Sequence, residues 1–166
     1  MKVLSNAEVS AWLVSHGIQE APYSKVASNE EGGFEQIAIP PQASGQSFFA
    51  QNLVKEVQPF GSALLHITDW AHYIPQQMAT LVAIRASCGE TRSLIDAPGH
   101  CLGADEADLL SGMFALSMHY GWSAYLYLEK GPTFLNWEGE LLDVWMPEGD
   151  HEFLLRAIES FKMDDG

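Results

Sequence analysis

Apolar positions along this chain recur with two different periods, and the alternation between them marks out the elements. Ser5 followed by Glu8 has the spacing of a helix capping box, after which Val9, Trp12, Leu13 and His16 recur at helical intervals until Gly17 supplies a stop. Residues 24–33 are polar and end in Gly32-Gly33, so they read as a loop or a weak edge strand leading into a strand over Phe34 to Pro40, closed by Pro40-Pro41. Phe48, Phe49, Leu53 and Val57 fit a helix that Pro59 and Gly61 end. The run Ser62 to Asp69 is nearly all apolar and of strand length, which predicts a strand covered on both faces.

Pro75 suits the first turn of another helix, because its missing amide proton has no intrahelical partner there. Met78, Leu81, Val82 and Arg85 follow at helical spacing and Gly89 ends the segment. Glu90 to Ile95 reads as a short strand, and Pro98-Gly99 as a tight turn that carries His100. Asp105, Glu106 and Asp108 then favour the positive end of a helix whose apolar stripe is Leu109, Leu110, Met113 and Phe114. Beyond Gly121, Trp122 to Leu128 has strand composition. Thr133 to Trp137 and Glu140 to Trp145 flank Glu138-Gly139 as a hairpin, and Asp150 opens a last helix through Leu154, Leu155, Ile158 and Phe161. Helices separating strands early and a hairpin late predict a single α/β domain over residues 1–166. Its expected architecture is a mixed β-sheet flanked by helices, with a C-terminal β-hairpin plus helix.

Composition agrees with one folded domain: 166 residues, 47% of them hydrophobic, can fill a sizeable core. Charge narrows the functional classes. Eight bases against 22 acids leave a net −14, and charged residues are only 18% of the chain, so bases are scarce rather than acids abundant. That scarcity disfavours nucleic acid and anionic membrane, both of which need clustered Lys and Arg. No apolar run approaches bilayer-spanning length, and Asn6 and Glu8 interrupt the stretch where an export signal would be continuous. A soluble cytoplasmic protein is expected, with Cys88 and Cys101 as reduced thiols.

The candidate chemistry is of two kinds. Asp69 at the end of the predicted buried strand and His100 in the predicted turn form a possible acid/base pair, with Arg85 and Arg92 as an anion clamp. If the strands were parallel, their carboxyl ends would be the place for such a site. The plain alternative is an internal network in which these arginines bond Asp69 or Asp96 and His100 meets a backbone carbonyl. Cysteine and histidine spacings give no metal site, and neither a phosphate-binding glycine loop nor a Gly-x-Ser-x-Gly elbow is present, so no cofactor is implied.

The second kind is an interaction surface. From Thr133 to Gly166 nine acids stand against two bases, a net −7, so half the charge lies in the last fifth of the chain. Trp137, Glu138, Glu140, Asp143 and Trp145 combine aromatic anchors with acids that complement a basic partner. The sequence therefore points first to an acidic protein-binding protein, such as a bacterial immunity protein that neutralises a basic effector toxin. A small-ligand binder or enzyme using Asp69, His100, Arg85 and Arg92 comes second, and a homo-oligomer whose acidity serves solubility third.

Overall fold

The structure, a computed structural model, describes residues 1–18, 33–70, 75–130, 134–138 and 140–146 together with Arg156. Among the described residues, four α-helices and seven strands follow one another as β1 (Lys2–Leu4), α1 (Asn6–Ser15), β2 (Gly33–Ala38), α2 (Ala43–Glu56), β3 (Ser62–Asp69), α3 (Pro75–Ser87), β4 (Gly99–Gly103), α4 (Ala107–His119), β5 (Ser123–Leu128), β6 (Phe134–Glu138) and β7 (Leu141–Met146). The strands make one sheet in the order β1-β4-β3-β5-β6-β7-β2. The α/β class stands, but every strand pair is antiparallel, so the sheet is not the mixed one expected from alternating helices and strands. Helical connections alone do not force parallel neighbours. Between α3 and β4 the chain runs through residues 88–98, long enough to bring β4 back beside β3 in the opposite sense.

The local signals behave as physical chemistry dictates. Ser5 and Glu8 form the predicted capping box, Ser5 Oγ accepting from the Glu8 amide at 3.4 Å while the Ser5 amide donates to Glu8 Oε2 at 2.8 Å. Gly17, Gly89 and Gly121 adopt the positive φ angles expected of residues that end α1, α3 and α4. β3 is covered on both faces. Ala63, Leu65 and Ile67 pack with residues of α2, α3 and α4 in the main core, while Leu64 joins Leu4, Val9, Leu13 and Tyr127 on the face that α1 covers. The β6–β7 hairpin is present, with Glu138 opposite Leu141. The expected final helix lies outside the described residues, except for helical Arg156, whose Nε donates to Glu56 Oε2 at 2.6 Å.

Two further expectations are corrected. Residues 90–95 are an irregular loop ending in a turn over residues 94–96, not a strand. Pro98-Gly99 is not a tight turn; Gly99 opens β4, and a Cβ there would collide with Val9 Cγ2 and sit 3.1 Å from Leu4 Cβ. The glycine serves the close approach of α1 and β1 to β4 rather than a bend. β1, only three residues long, carries too little periodicity to be read from the sequence.

Candidate functional site

The four residues proposed as an acid/base site with an anion clamp divide into two places. His100 lies in the interior of β4, opposite Val3 on one side and Leu65 on the other, and is fully buried. Asp69 ends β3, four residues beyond Leu65 and thus roughly 13 Å along the strand, and is exposed. The pair does not converge, and the antiparallel sheet removes the common edge of parallel carboxyl ends on which the expectation rested.

His100 and Arg85 do come together. Arg85, 2% exposed, reaches from the last turn of α3 and places Nη1 3.0 Å from His100 Nε2 and 2.6 Å from the Ala97 carbonyl. Its Nη2 donates to the carbonyls of Arg92 and Ser93, each at 3.2 Å. A guanidinium only donates, so Nε2 of His100 is the unprotonated nitrogen and the ring proton sits on Nδ1. Burial first, and the Arg85 charge second, push His100 down to about 3, so the ring is neutral at physiological pH. Burial also lowers Arg85 from its ordinary value. The result is a buried cation surrounded by carbonyls and one imidazole, which pins the 90–98 loop against α3.

Arg92 is equally engaged. Its Nε donates to both oxygens of Glu90 at 3.0 Å, Nη1 reaches Glu8 Oε2 at 3.3 Å, and Nη2 donates to the Val3 carbonyl at 3.0 Å and Glu90 Oε2 at 2.5 Å. This pairing holds the Glu90 carboxyl down at about 2. Asp96 accepts from Ser93 Oγ at 2.6 Å, so neither arginine is bound to Asp69 or Asp96. The network drawn from the sequence is therefore not the one formed: Arg85 meets three backbone carbonyls and His100, and Arg92 meets Glu90, Glu8 and the Val3 carbonyl.

The acidic hairpin residues are also sorted by the sheet. Glu140 is exposed in the turn between β6 and β7, and its carbonyl accepts from the Ile39 amide at 2.8 Å. Asp143 is buried, 8% exposed, and its Oδ1 accepts from Gln36 Nε2 at 2.9 Å. Trp137 is in register with Ala124 and Leu142, whereas Trp145 is in register with Phe134 and Phe34. Because successive strand positions alternate in face, the two tryptophan positions belong to opposite faces of the sheet. Glu138 closes β6 opposite Leu141, a residue 42% exposed.

What sequence reasoning missed is the neighbour of this hairpin. β2, almost 100 residues earlier, pairs along its whole length with β7, from Gly33 opposite Met146 to Ala38 opposite Leu141. The end of the sheet formed by β6, β7 and β2, with the turn at Glu140, therefore carries Glu35, Glu138, Glu140 and Asp143 and no Lys or Arg. A local signal existed in the strand pattern of residues 34–40, but nothing in it names the partner strand.

A groove of about 620 Å³ runs between α2 and α4, bordered by Ser47, Gln51, Lys55, Asp108 and Ser111. Its lining has amides and hydroxyls with one lysine and one aspartate, and neither histidine nor cysteine. Among the described residues no cluster of three or more His, Cys, Asp or Glu is placed to hold a metal ion, and no helix is long and apolar enough to cross a membrane. In comparisons with known proteins, the chain matches no family model, no curated protein and no solved structure.

Proposed function

We propose that this chain is a cytoplasmic protein-binding protein that presents acidic surface to a basic protein partner, as an immunity protein does when it neutralises a basic effector toxin. The observation that carries the reading is the β6–β7–β2 end of the sheet, where Glu35, Glu138 and Glu140 stand without one base while Asp143, the partner-binding acid expected from the sequence, is buried against Gln36 and serves the fold. The cations that could offset them are few and several are committed elsewhere: Arg85 is buried among carbonyls, Arg92 pairs with Glu8 and Glu90, and Arg156 with Glu56. An uncompensated field of one sign accelerates encounter with an oppositely charged protein and repels acidic ones.

Co-expression with the product of the adjacent gene, followed by co-purification at low and high ionic strength, tests the reading. A stable complex with a basic product, whose formation weakens on adding salt, is expected. A product that does not co-purify, or an acidic one that does, contradicts it.

A further inference from the structure

The two edges of the sheet differ in a way that the charge alone does not explain. β1, at one edge, is three residues long and carries Lys2, two of the usual devices by which an edge avoids pairing. β2, at the other, is six residues of unbroken register without lysine, proline or bulge, and among the described residues no strand pairs with its outer side.

The direction of its backbone groups follows from the ladder. Ile39, in register with Glu140, donates its amide to that residue's carbonyl at 2.8 Å. Hydrogen-bonded pairs alternate along an antiparallel ladder, so Ile37, Glu35 and Gly33 also turn their backbone groups to β7, and Phe34, Gln36 and Ala38 turn theirs outward. The Gln36–Asp143 side-chain bond fits this assignment, since side chains approach closest across a non-hydrogen-bonded pair.

We propose that the outer edge of β2 is a strand-addition site that pairs with an extended, cationic segment of a protein partner, the amides and carbonyls of Phe34, Gln36 and Ala38 forming the new ladder. The inference rests on the acidic-binder reading and adds its mode. Strand addition supplies affinity through main-chain bonds, and charge selects who may add. A second copy is a poor occupant, because pairing β2 with β2 would join two chains of net −14 at their acidic ends. A lysine-bearing strand would instead set its cations beside the position of Glu35, at an end of the sheet that carries no base.

The test uses the whole chain and two short labelled peptides of equal charge: one of alternating lysine and valine, the other identical but with a central proline. Fluorescence anisotropy gives affinity, and amide hydrogen exchange followed by NMR reports on Phe34, Gln36 and Ala38. The lysine–valine peptide should bind more tightly and slow exchange at those three amides. Ala38→Pro, which removes one outward amide from an exposed strand end, should weaken that peptide roughly fivefold. Equal binding of both peptides without slowed exchange would overturn strand addition while leaving the acidic-binder reading in place. If neither peptide binds at low salt, both fall. Slow exchange at the three amides that depends on protein concentration and needs no peptide would assign the edge to self-pairing and overturn the proposal.

Discussion

Arg85 and His100 show how far a residue pair can be read before its surroundings are known. Both were recognisable as unusual, a guanidinium at a helix end and a histidine beside a Pro-Gly pair. Their fully buried contact was not, because it depends on three carbonyls of a loop with no regular structure. Arg85→Met should cost about 3 kcal/mol, since buried acceptors would lose a charged donor, and urea denaturation would measure it. His100 makes stability depend on pH. Unfolded it titrates near 6.5 and folded near 3, so between those values the unfolded chain takes up a proton the native state refuses. Its contribution is complete above pH 6.5 and is lost as pH falls toward 3. His100→Asn, which keeps an acceptor for Arg85, should lose less stability over that window than the wild type. Equal losses in parallel urea titrations would show that His100 is not the group responsible.

At the scale of elements, capping and termination were the most legible features, because a capping box or a helix-ending glycine is decided by its neighbours in sequence. β4 was misread for the opposite reason. Gly99 resembles a turn residue, yet its need for a missing side chain comes from Val9 and Leu4, some 90 residues away. Gly99→Ala should therefore destabilise the fold by about 1–3 kcal/mol, visible as a lowered thermal midpoint, by pushing α1 off β4. The hairpin separates structural from interfacial acids in the same manner. Asp143→Ala should cost about 1 kcal/mol by removing the bond between its buried carboxylate and the exposed Gln36 amide, with association affected only through stability. Glu140→Lys should leave stability within about 0.5 kcal/mol and alter association, and urea denaturation beside a binding assay separates the two effects.

For the molecule as a whole, period and charge were readable and pairing was not. The strand and helix segments followed from their apolar spacing, but strand order joins segments by long-range packing, so an antiparallel sheet ending in β6-β7-β2 could not be drawn from local pattern. That order sharpens the charge argument, because it brings Glu35 to the acidic hairpin and leaves that end of the sheet without a base. The most direct test is the association rate between this chain and the basic product of its neighbouring gene, measured by stopped-flow fluorescence across a range of ionic strength. The wild type should associate quickly at low salt and slow steeply as salt rises, while Glu138→Lys with Glu140→Lys should lower the low-salt rate about tenfold and flatten the dependence. A rate that is indifferent to salt and unchanged by the double substitution would contradict an acidic docking surface at this end of the sheet.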